Sequence, residues 1–103
     1  MNHFGEKIKQ LRAENGLLQR QVANQLEMDT PMFSKIERGE RNAKRDQVTI
    51  ISKIFNVPEE DLLSLWLADK VYDMVKDENV ALKALSVTEE ELKINPKMKI
   101  RKS

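Results

Sequence analysis

The chain has 103 residues, 40% of them apolar, with 18 Lys and Arg against 17 Asp and Glu, one histidine and no cysteine. That length suits one domain of ordinary size; the absent cysteines exclude disulfides and thiolate chemistry, and no stretch approaches the roughly 20 apolar residues of a membrane helix. The overall charge is nearly neutral, but its distribution is uneven: residues 1–57 hold ten basic and seven acidic side chains, residues 58–94 hold four and ten, and residues 95–103 hold four and none. An anionic partner is therefore expected at the front, and a different task for the acidic middle. Met1-Asn2-His3-Phe4 shows neither a basic leader nor an apolar signal region, so a soluble, unprocessed, cytoplasmic protein is expected.

Helical periodicity runs along the chain with almost no strand alternation, which makes the expected fold all-α. Phe4, Ile8 and Leu11 define a first helix over about 4–14, closed by Asn15-Gly16. Leu18, Val22, Ala23 and Leu26 mark a second. Thr30 as N-cap and Pro31 at the first helical position open a third, which Gly39 ends. Asp46 is the expected cap of a fourth helix with Val48, Ile51, Ile54 and Phe55 on one face and Asn56 as its left-handed stop. A fifth starts at Pro58, with Glu59, Glu60 and Asp61 at its positive pole. Residues 79–87 read as a sixth short helix, Thr88 to Glu91 as a capping box for a last turn, and Pro96 as its stop. The expected organisation is a compact bundle of five short helices over 1–67, a helical extension over 68–95 and a frayed basic tail over 96–103.

Two short helices that cross steeply over a tight turn need a small residue where they touch and apolar residues at the turn and along the buried face of the second. Counting from Gln19, those positions hold Val22, Ala23, Leu26, Met28, Phe33 and Ile36. Leu17-Leu18-Gln19, Val22-Ala23, Met28 and Ile36-Glu37-Arg38-Gly39 together resemble the phage repressor and Cro type of helix-turn-helix, the Xre-like family, over about residues 4–67. One position departs from the pattern: Glu27 stands where the family usually has glycine.

The resemblance implies an ion pair between Arg12 and Glu37, a backbone-contacting Gln19 with Arg20 beside it, and a third helix whose N-terminal end enters the major groove. With Phe33 and Ile36 inward, the solvent face carries Thr30, Pro31, Met32, Ser34, Lys35 and Arg38. Lys35 can donate to guanine O6 or N7, Thr30 and Ser34 can meet several base edges or phosphates, and Pro31 and Met32 could meet a thymine methyl. Met32 could equally be packing, as Met28 is expected to be. Arg41, Asn42, Lys44 and Arg45 follow where the family touches phosphates. Without the motif, such a run would read as solvated surface.

Double-stranded DNA is the partner these residues imply, and a transcription regulator the function. No cofactor is expected. His3 alone makes no metal site, Glu89 to Glu91 reads as a helix start, and nothing resembles a nucleophile–base pair or a Gly-rich phosphate loop, so an enzyme is not expected. The fifth helix carries more apolar surface than one stripe. A homodimer seam of Leu63, Trp66, Leu67, Val71 and Met74 would cover it, and so would residues 79–95 of the same chain; the two-fold homodimer, on a pseudo-palindromic operator read by residues 30–38, is the favoured arrangement, because symmetric dimers are the commonest oligomers and such motifs bind paired half-sites. The rival reading is an interaction or antitoxin-like module whose residues 58–95 bind a partner protein.

Overall fold

The computed structural model describes residues 1–95. Among them are six helices and no strand: α1 (His3–Glu14), α2 (Gln19–Gln25), α3 (Thr30–Glu37), α4 (Arg45–Phe55), α5 (Glu59–Val75) and α6 (Ala81–Ile94). The all-α expectation holds. The basic tail and the stop at Pro96 lie outside the described residues.

The first four helices end in the same way. Gly16, Glu27, Gly39 and Asn56 have φ of 65°, 56°, 78° and 52°. Each left-handed residue donates its amide three residues back, and the next residue donates five back, as in Glu27 N to Asn24 O and Met28 N to Ala23 O, both 3.1 Å. This doubly bonded left-handed stop satisfies carbonyls that the helix end would otherwise orphan. Glu27 therefore keeps the glycine-type turn between α2 and α3, at a cost of about 1 kcal/mol, and the turn is not reshaped.

Helix starts depart from the sequence reading at three points. Asp29, not Thr30, is the N-cap of α3: its Oδ1 accepts from Met32 N at 2.8 Å, which moves Thr30 and Pro31 one position into the helix. Lys44, not Asp46, precedes α4, and Gln47 Oε1 accepts the Lys44 amide at 2.8 Å, so Asp46 sits in the first turn. Leu18 lies before α2 in extended backbone with its side chain exposed, because Gln21 Oε1 takes its amide and fixes the entry.

Two units are distinct, residues 1–73 and the segment from Met74 onward. In the first, Phe4, Ile8 and Leu11 of α1, Val22, Ala23 and Leu26 of α2, Phe33 and Ile36 of α3, Ala43, Val48, Ile51 and Phe55 around α4, and Leu62 of α5 form one core. Helix α3 packs on α2 and α1, and Ala23, fully buried, leaves room for the close approach of α2 and α3.

The N-terminus is held at two points. Asn2 caps α1 by accepting from Gly5 N (3.1 Å) while its Nδ2 donates to Glu37 O (2.8 Å) at the end of α3. Asp69 of α5 accepts the amides of His3 (3.1 Å) and Phe4 (2.9 Å), placing a carboxylate at the positive pole of α1. Gly5 is required in this junction: a Cβ there would press on the Glu37 carbonyl oxygen and lie 2.5 Å from Asn2 Oδ1. Gly5→Ala should cost about 1 to 3 kcal/mol through overpacking, despite the higher helix propensity of alanine. Thermal melting followed by circular dichroism checks this, and an unchanged midpoint would show that the α1–α3 junction yields freely.

In the second unit, α6 is one continuous helix through Thr88, where a separate last turn was expected. The Thr88 hydroxyl donates to Ala84 O (3.0 Å) instead of capping, so the ladder is not interrupted. Helix α6 buries no side chain, and Leu82, Val87, Leu92 and Ile94 are all exposed.

Candidate nucleic-acid interface

Helix α3 is fixed from behind. Phe33 and Ile36 are buried, and Glu37, only 3% exposed, is a charged side chain in the core. Its carboxylate accepts from Arg12 Nε (2.7 Å) and Nη2 (3.2 Å) and from Gln19 Nε2 (2.8 Å), while Arg12 Nη1 also reaches Leu17 O (3.0 Å). The Arg12–Glu37 pair implied by resemblance is present, and Gln19 joins it. One amide N–H of Gln19 is thus committed inside the protein, which leaves the other as the donor available to a phosphate.

The opposite face of α3 presents Pro31, Lys35 and Arg38, all exposed, at the spacing of one helix face. Thr30, Met32 and Ser34 are half-buried at its margins. Ser34 and Arg38 are not independent readers: Arg38 Nη1 donates to Ser34 Oγ, while its Nε (2.6 Å) and Nη2 (3.3 Å) donate to Glu40. The hydrogen bond from Arg38 holds the Glu40 carboxyl below the ordinary glutamate range and raises the guanidinium's own pKa further. Both side chains are more than half exposed, so this pair orients Arg38 without adding much stability. Glu40, an acid among the expected DNA contacts, was missed because no local pattern in the sequence shows that it pairs two residues back.

After α3, Arg41, Asn42 and Lys44 are exposed in an irregular loop, and Arg45 is exposed in the first turn of α4; Arg20 is exposed on α2. The loop is anchored by Ala43, which is buried and whose carbonyl oxygen accepts from Trp66 Nε1 at 2.8 Å. The Trp66 ring packs on the core, with Lys70 Nζ 4.5 Å and the Arg45 guanidinium 5.9 Å from its centroid. Trp66, expected in a dimer seam, is half-buried, and within the chain its N–H is bonded and part of its ring is packed. Among the described residues, no group of three or more His, Cys, Asp or Glu is placed to hold a metal, and no helix is long and apolar enough to cross a membrane.

A family model described as a helix-turn-helix domain matches residues 3–65. The chain belongs to the helix-turn-helix domain family. It is 36% identical over 61 residues to the control protein C.BamHI of Bacillus amyloliquefaciens, a match covering 58% of this chain and 75% of that one. It is 39% identical over 61 residues to the HTH-type transcriptional activator BcrR of Enterococcus faecalis, covering 59% of this chain but 30% of the activator. The match therefore spans less than a third of that protein. No solved structure matches. The repressor- and Cro-type resemblance read from Gln19, Val22-Ala23 and Ile36 to Gly39 is upheld at the level of the family.

Proposed function

We propose that this protein is a sequence-specific DNA-binding transcription regulator that docks α3 in the major groove and binds a pseudo-palindromic operator as a homodimer. The observation that carries the reading is the division of α3, with Phe33, Ile36 and Glu37 locked inward and Pro31, Lys35 and Arg38 outward. An activator and a control protein among its relatives agree with a regulatory role. Lys35 reads a base edge, Gln19, Arg20, Arg41, Asn42, Lys44 and Arg45 touch phosphates, and Thr30, Met32 and Ser34 line the groove contact. Homodimerisation is supported by α5, where Leu67, Val71 and Met74 recur on one stripe with Leu67 and Met74 exposed, 52% and 79%. Leu63 extends that stripe toward the core, where it is partly buried.

The test is selection of bound duplexes from a random pool, followed by salt titration on the selected site. Affinity should fall steeply as salt rises. Lys35→Ala should cost about 1 to 3 kcal/mol on the selected site and relax preference at one position per half-site; Arg45→Ala should weaken all duplexes alike and reduce the salt slope by about one. Unchanged affinity and preference in both variants would sink the recognition-helix assignment. The second reading, an interaction module, draws on α6, which buries none of its apolar side chains. Failure to retard any duplex at low salt would favour it.

A further inference from the structure

The backbone of residues 41–43 lies between two well-bonded helix ends and makes almost no bonds of its own. Gly39 N and Glu40 N close α3, and Lys44 N is taken by Gln47. Among the described residues, the hydrogen bond from Trp66 Nε1 to Ala43 O is the only one that reaches the backbone of Arg41, Asn42 or Ala43. It joins residues 23 apart in sequence and is partly buried. The Ala43 methyl is buried in the core beside it, and two cations, Lys70 and Arg45, lie over the same indole.

We propose that Trp66 is a positioning residue for DNA binding: it pins the loop through the Ala43 carbonyl and so fixes Arg41, Asn42, Lys44 and Arg45 as a preformed phosphate-contacting edge. The proposal rests on the reading of this loop as a phosphate contact. An irregular loop carrying two cations, Arg41 and Lys44, otherwise loses backbone freedom when it docks, and that entropic cost subtracts from affinity. A neutral donor held at a carbonyl removes part of the cost in advance. The same indole presents its π face to Arg45, an attraction that limits the wandering of that guanidinium without neutralising it. A carboxylate in this place would hold the loop equally well but would oppose the phosphates.

Trp66→Phe keeps an aromatic ring in the core and removes the donor. In the 15N-labelled full chain, the amide signals of Asn42, Ala43 and Lys44 should shift and exchange faster while those of α1 to α3 stay in place. Affinity for selected and random duplexes should fall alike, by about fivefold for the loss of one hydrogen bond, with base preference kept. In the unmodified chain, the indole N–H should exchange slowly, and the emission of Trp66, the sole tryptophan, should change on adding duplex. A variant with unaltered loop signals and affinity overturns the proposal. So does a rapidly exchanging indole N–H in the unmodified chain, a measurement that stands even if the variant unfolds. Retardation of no duplex by the unmodified chain would defeat the DNA reading instead, and the loop signals would then decide the tether separately.

Discussion

Replacing Glu37 with alanine should destabilise the first unit by about 3 to 5 kcal/mol, the range for removing one partner of a buried ion pair. The carboxylate is nearly inaccessible and serves three donors, Arg12 Nε, Arg12 Nη2 and Gln19 Nε2. Without it, the half-buried Arg12 guanidinium keeps only the Leu17 carbonyl and must either remain undercompensated or drag its stem to solvent. Gln19 would also lose the contact that orients it. Urea unfolding monitored by circular dichroism measures the loss. Duplex affinity measured well below the unfolding midpoint should fall too, because the end of α3 and the start of α2 lose their common anchor. A cost under 1 kcal/mol would show that Arg12 escapes to water easily and that the packing of Phe33 and Ile36 alone orients α3.

The double substitution Leu67→Asp and Val71→Asp should weaken operator binding by about a hundredfold or more, because a dimer gains the effective concentration of its second half-site and a monomer does not. Leu67 is exposed and Val71 half-buried on α5, so two carboxylates there would meet their symmetry mates across a two-fold seam. Core residues such as Leu62 are untouched, and the variant should retain a helical spectrum and cooperative melting. Light scattering should report a dimer for the unmodified chain and a monomer for the variant. An unmodified chain that remains monomeric at micromolar concentration, both free and on its selected DNA, would remove the homodimer from the proposed function.

The sequence alone determined the features that depend on neighbours a few residues apart. Apolar spacing placed Phe4, Ile8, Val22, Phe33 and Ile51 in the core, and the helix stops at Gly16, Gly39 and Asn56 were legible because left-handed residues leave few chemical choices. The pattern from Gln19 to Gly39 disclosed the helix-turn-helix, and the outward face of α3 followed from it. Competing caps were less legible: Asp29 and Thr30 are both good caps, and only the backbone geometry chose the first. Thr88 looked like a cap until its hydroxyl turned back on Ala84. The tertiary structure alone decided the contacts between residues distant in the chain. Asp69 reaches the amides of His3 and Phe4, Asn2 reaches Glu37 O, and Trp66 reaches Ala43 O. No periodicity encodes these bonds, because each depends on where two separately formed helices come to rest, and that position is set by the shared burial of Leu62, Ile36 and Phe4.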